Sequence, residues 1–123
     1  MPELQQNIVD DLASVTTESW RTFRIMAEMV EALDTLNALK VNCISIFGSA
    51  RSTPDTQEYK DAEKISRLLV EAGFGIITGG GPGVMEAANR GAASANGKSV
   101  GLGIELPHEH GLNKYVNLGM DFR

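Results

Sequence analysis

Three short apolar runs, VNCISIF (41–47), FGIIT (74–78) and SVGLGIEL (99–106), restrict this chain more than any other feature. Each is separated from the next by a stretch of helical period. Runs of this length, rich in β-branched residues, suit strands buried on both faces, which is the habit of parallel sheets. Parallel strands need a long crossover, and a helix is the usual one. The first crossover carries Tyr59, Ala62, Ile65, Leu68, Leu69 and Ala72 at helical spacing, with Thr53 as cap, Pro54 in the first turn and Gly73 as the stop. Asp55 and Glu58 suit its positive end. The second crossover, roughly 83–95, is built largely of Ala87, Ala88, Gly91, Ala92 and Ala95, small residues that let a helix lie close to its neighbours, and Asn96 and Gly97 end it. The pattern predicts an α/β chain: the βαβαβ unit of a Rossmann-like, three-layer fold around a parallel sheet.

A long helix precedes this unit. From Thr16, the residues Trp20, Phe23, Ala27, Val30, Leu33 and Leu36 recur at three- and four-residue intervals, with Arg24, Glu28, Glu31 and Asp34 on other faces. Residues 1–15 are expected to be an N-terminal arm, and 16–123 one Rossmann-like domain led by the helix 16–39. A sheet of three parallel strands would leave the third, which has an interior composition, with an unpaired edge. That edge and the apolar stripe of the leading helix both need cover. A homo-oligomer, dimer or larger, is therefore expected, or a chain that continues beyond Arg123.

Composition removes several classes of function. The net charge of −5 is not that of a nucleic-acid surface. The acidity is also uneven: residues 1–40 hold seven acids and three bases, residues 41–123 nine acids and eight bases. A phosphate-bearing ligand would meet little repulsion in the glycine-rich part. No apolar run approaches the ~20 residues that cross a bilayer. The polar, acidic start, MPELQQNIVDDL, is not a secretory signal. Cys43, the single cysteine, lies in an apolar stretch and points to a reducing, cytoplasmic setting and an inert thiol.

The stretch IITGGGPGVMEAAN (76–89) leaves the second strand through Gly79, Gly80, Gly81 and Gly83 and enters a helix. A turn stripped of side chains at the carboxyl end of a strand lets backbone N–H groups approach a ligand. Joined to the positive end of the helix, they make an anion site that needs no basic side chain. The turn FGSAR after the first strand adds Gly48, the Ser49 hydroxyl and Arg51 at the same edge. Two such turns fit a nucleoside monophosphate or sugar phosphate.

Two better-known glycine motifs do not fit. The dinucleotide fingerprint G-x-G-x-x-G fails because Glu86 stands where its third glycine belongs. In NGKS (96–99), Gly91 stands six positions before Gly97 where a P-loop needs five, and the stretch leaves a helix instead of entering one. It is a helix stop. His108 and His110 flank Glu109, but no further ligand is close in sequence, so no metal or other cofactor is expected.

The segments SIFGSARS, GFGIITGGGPGVMEAANRGA and GLGIELPHEHGLNKYV…DFR resemble the LOG family of cytokinin-activating enzymes, over about residues 20–123. The resemblance implies a Rossmann-like fold and nucleoside 5′-monophosphate phosphoribohydrolase activity. That reaction cleaves the N-glycosidic bond of AMP or cytokinin ribotides to free base and ribose 5-phosphate. It implies that Thr78, Gly79, Gly80, Gly81 and Gly83 hold the phosphate region, that Gly48 and Ser49 line the nucleotide pocket, and that Glu109 contacts the ribose hydroxyls. Glu86, beside that phosphate, is given a structural role, since its charge opposes the ligand. The family's second motif, PGGxGTxxE preceded by an Arg-Lys pair, carries the catalytic arginine and glutamate and is expected beyond Arg123. Catalytic residues are therefore not assigned in this chain, which by itself is expected to be inactive. The alternative is a non-catalytic nucleotide- or molybdenum-cofactor-binding protein of the same fold. Neither reading involves nucleic acid or a membrane.

Overall fold

A computed structural model describes residues 2–104 and 111–122, with side chains from Thr17 onward, that of Asp121 excepted. The chain divides into two units, 1–37 and 38–123.

The first unit is one helix, α1 (Pro2–Asn37). It begins well before Thr16, so the helical conformation runs through the residues expected to form an arm. No helix among the described residues is long and apolar enough to cross a membrane.

The second unit holds four strands and two helices in the order β1 (Cys43–Ser45), α2 (Gln57–Glu71), β2 (Gly75–Thr78), α3 (Val84–Ser94), β3 (Ser99–Ile104) and β4 (Leu118–Phe122). The strands form one parallel sheet in the order β1-β2-β3-β4. The α/β, Rossmann-like expectation is met. The open third-strand edge is not: β4 pairs with β3 from Val100↔Leu118 to Ile104↔Phe122. Asn117 prepares that pairing. Its backbone N–H donates to the Ser99 carbonyl, and its side-chain oxygen accepts from the Ser99 N–H.

β1 differs from the expectation in the other direction. Only Cys43–Ser45 are strand, half-buried to exposed, and Phe47 is 79% exposed. An edge strand has one neighbour, so an interior composition does not by itself bury it.

Helix α2 starts later than Thr53 and Pro54 suggested. Thr56 is the cap, its Oγ1 accepting from the Tyr59 N–H, while Thr53–Thr56 form a turn closed by Thr56 N–H to the Thr53 carbonyl. Asp55 lies in that turn, and its carboxylate accepts from the Thr53 hydroxyl. The buried face of α2 runs through Tyr59, Ala62 and Ser66, leaving Ile65 and Leu68 half exposed. Ser66 takes a core position because its hydroxyl donates to the Ala88 carbonyl at 2.5 Å. The helix ends at Gly73 (φ +99°), as expected.

Helices α2 and α3 pack on each other and on the sheet. The small residues of α3 set both distances. A Cβ on Gly91 would overlap the Glu63 carbonyl of α2, while Ala88 and Ala92, fully buried, pack with Ile76 of β2. Asn96 (φ +59°) and Gly97 close α3, with Gly97 N–H on the Ala92 carbonyl and Asn96 N–H on the Ala93 carbonyl.

Candidate functional site

Parallel strands in this order bring the turns after β1 and β2 side by side at the carboxyl edge of the sheet. They are locked together. The Val84 N–H, first in α3, donates to the Ser49 carbonyl at 3.0 Å. A Cβ on Gly48 would stand 2.5 Å from Val84 Cγ1, and a Cβ on Gly83 would overlap the Ser49 carbonyl oxygen. Gly83 also has φ +76°, a conformation that residues with a side chain rarely adopt. The structure thus brings Gly48, Ser49, Thr78, Gly79, Gly80, Gly81 and Gly83 to one edge. Glu109, His108 and His110 lie outside the described residues.

The turn presents donors. Gly80 N–H goes to Thr78 Oγ1 at 2.9 Å, and Val84 N–H to Ser49. Among the described residues, nothing accepts from the N–H groups of Gly81, Gly83, Met85 or Glu86. The last two belong to the first turn of α3, where the helix cannot supply acceptors of its own. With the helix dipole behind them, these groups favour a negatively charged ligand. Ser49 Oγ, exposed, accepts from the Arg51 N–H at 3.1 Å and keeps its own proton to donate. Met85 borders the turn: a Cβ on Gly79 or Gly81 would lie 3.0 or 2.8 Å from its Sδ or Cε.

What holds the turn in shape is a buried polar network that glycine spacing did not reveal. Asn89 of α3 is fully buried and uses both ends of its amide. Its Oδ1 accepts from Thr78 Oγ1 at 2.5 Å and from Asn113 Nδ2 at 3.1 Å; its Nδ2 donates to Ser99 Oγ and to the Val100 carbonyl. Asn113 also clasps the turn, giving its backbone N–H to the Gly80 carbonyl and its side chain to the Gly81 carbonyl. Among the described residues no buried side-chain polar atom lacks a partner. The one available signal was an asparagine inside a helix of alanines, where it is otherwise unfavourable.

Glu86 lies on the α2 side of α3. Tyr59, buried between the helices, donates its hydroxyl to Glu86 Oε2 at 3.3 Å. Burial raises the Tyr59 phenol above its ordinary value, partly offset by a hydrogen bond with Arg90. Arg90 pairs with Glu63 at 3.5 Å and stands 5.7 Å from the Tyr115 ring centre. The structural role expected for Glu86 matches this placement. Burial likewise raises the Cys43 thiol, which disfavours the reactive thiolate. Among the described residues no cluster of His, Cys, Asp and Glu could hold a metal ion.

Residues 41–121 match the SLOG cluster4 family. No curated protein matches the chain. Among solved structures, the X-ray structure of TM1055 is 27% identical, with a TM-score of 0.50 over 66% of this chain and 46% of that one. Two structures of the molybdenum cofactor carrier protein from Chlamydomonas reinhardtii are 24% identical, with TM-scores of 0.53 over 67% of this chain and 49 and 50% of theirs. The chain thus spans about half the length of these structures.

Proposed function

The chain belongs to the SLOG cluster4 family, and from that premise we propose that it binds a nucleoside 5′-monophosphate with the phosphate on the Gly79–Gly83 turn. The observation that carries the reading is the set of inward-closed, outward-donating backbone groups. Gly83 leaves no room for a side chain against Ser49, while the N–H groups of Gly81, Gly83, Met85 and Glu86 have no acceptor among the described residues. A phosphate dianion supplies several acceptor oxygens to such a cradle. Ser49 Oγ adds a donor from the neighbouring turn. Glu109 is the proposed partner of the ribose hydroxyls.

In this reading the chain is the binding half of a LOG-type phosphoribohydrolase, which hydrolyses the N-glycosidic bond of AMP or a cytokinin ribotide. Departure of the base leaves an electron-poor sugar, which a carboxylate near the ribose stabilises while water attacks. Those catalytic groups are proposed to lie outside this chain. One observation favours a second reading, a non-catalytic carrier of a nucleotide or of the phosphate-bearing molybdenum cofactor. Glu86, the carboxylate on the first turn of α3, faces α2, where it accepts from the Tyr59 hydroxyl at 3.3 Å.

Incubation with AMP, with adenine and ribose 5-phosphate separated by chromatography and binding followed by calorimetry, tests both. Binding with release of adenine supports the hydrolase. Binding without release supports the carrier, and no binding sinks the phosphate site itself.

A further inference from the structure

Leu112 stands between the glycine turn and β4, and it meets a glycine on each side. A Cβ on Gly80 would overlap Leu112 Cδ2, and a Cβ on Gly119, in β4, would overlap Leu112 Cδ1. One forked side chain thus fills the space that a side chain at either glycine would need. The residues that follow are tied to the same two places. Asn113 N–H donates to the Gly80 carbonyl, and Asn117 N–H donates to the Ser99 carbonyl just before β4 begins, each at 2.8 Å. Val116 packs in between: a Cβ on Gly101 of β3 would lie 2.8 Å from Val116 Cγ2 and 3.4 Å from the Gly80 Cα.

We infer that Leu112 is a positioning residue for the anion site, and that through it the seating of β4 on β3 and the aim of the turn's donors form one equilibrium. The peptide between Gly80 and Gly81 carries both the carbonyl that Asn113 holds and the Gly81 N–H. A trans peptide is planar, so its C=O and N–H point in opposite directions. Holding the Gly80 carbonyl towards the 111–117 segment therefore aims the Gly81 N–H away from it. Leu112, packed against Gly80, fixes where that peptide sits. A displacement of Gly119 moves Leu112, and close packing passes the movement on to Gly80 instead of absorbing it.

The consequence for AMP rests on the phosphate-binding reading of the turn, whereas the coupling of turn and strand needs no ligand. Coupling is reciprocal. Whatever unseats β4 weakens a ligand of the turn by the factor with which that ligand tightens β4.

The test is amide exchange of the full chain without ligand, read by NMR, alongside calorimetric titration with AMP. Gly119→Ala drives a methyl group into Leu112 from the β4 side. It should speed exchange of the Gly80 amide, which is bonded to Thr78 Oγ1, by about 10-fold and weaken AMP by a similar factor. Adding Leu112→Val removes the overlapping Cδ1 and should bring both to within about threefold of the unmodified chain. Leu112→Ala takes away bulk and cannot clash, so it gives a second readout should Gly119→Ala fail to fold. It should speed exchange both at Gly80 and in residues 118–122. Gly73→Ala, at the end of α2, controls for general loss of stability and should leave the Gly80 amide within about twofold. Faster exchange in residues 118–122 alone overturns the coupling, whether or not AMP binds. So does a double variant no better than Gly119→Ala. A Gly80 amide that responds as expected in a chain that does not bind AMP overturns the phosphate reading, and with it the role of Leu112 towards a ligand, while the coupled turn and strand stand.

Discussion

Thr78 Oγ1 and Asn89 Oδ1 lie 2.5 Å apart in the interior, and the proton between them fixes the direction of the hydroxyl and the orientation of the amide. With its proton committed, Thr78 Oγ1 can only accept from Gly80, so the end of β2, the second turn of α3 and the glycine turn form one unit. Replacing Thr78 with valine keeps the shape and removes both bonds. It should cost about 2 kcal/mol, the order expected when buried polar groups lose their partners. Asn89→Ala should cost about 3 kcal/mol, since four bonds disappear. Urea unfolding of both single variants and the double variant measures this. Their coupling should exceed about 1 kcal/mol, whereas independent sites would add.

Gly83→Ala should abolish AMP binding. The new Cβ meets the Ser49 carbonyl, backbone that cannot swing away, and φ +76° is strained for alanine. Gly73→Ala is the control, with positive φ but open space around the added carbon. It should lower stability by about 1 kcal/mol and leave AMP affinity within about twofold. Calorimetric titration of the two variants separates damage to the turn from general backbone strain.

The features legible in the sequence were those that residue type alone dictates. Gly73 and Asn96 stop helices in left-handed conformations that exclude most other residues, and Gly97 follows where an added Cβ would meet Val70. The glycine turn was visible for the same reason. Features set by neighbours were not. The run VNCISIF has the composition of an interior strand, yet β1 has β2 on one side only. LGMDF, with a glycine and an aspartate, is a poor strand by propensity, and the ladder with β3 overrides that. In α2 the apolar stripe misplaced the buried face, because Ser66 satisfies its hydroxyl on the Ala88 carbonyl, a partner in another helix. Asn89 was illegible until β2, β3 and the 111–117 segment surrounded it. The resemblance to the LOG family stood on the segments around these turns, and residues 41–121 carry the family match.

The Tyr59 phenol should make stability fall at high pH. Its folded value is raised above an unfolded value of about 10, mainly by burial. The unfolded chain therefore loses this proton first. The stabilisation is complete below about pH 10 and is lost as pH rises through the folded value. Tyr59→Phe removes the titration along with the bond to Glu86, costing about 1 kcal/mol at pH 7 and flattening the decline above pH 10. Urea midpoints at pH 7 and 10.5 for both proteins provide the check.

Asn113→Ala offers the sharpest separation between shaping the turn and holding the fold together. Asn113 is half-buried, and its side chain donates to the Gly81 carbonyl and to Asn89 Oδ1, each at 3.1 Å. Its backbone bond to the Gly80 carbonyl survives the substitution. Water can reach this position, so the loss in stability should be modest, about 1 kcal/mol. The Gly81 carbonyl, however, would be free to rotate, and the peptide groups that aim the Gly81 and Gly83 N–H donors would turn with it. A site made of oriented backbone groups depends on that orientation more than on the stability of the domain. AMP should therefore bind about 10-fold more weakly, with faster amide exchange at residues 79–83 and at Tyr115, whose N–H loses its Asn113 Oδ1 acceptor. Equal affinity would mean that the turn keeps its shape without this clasp, and that Asn113 serves only to seat β4 against β3.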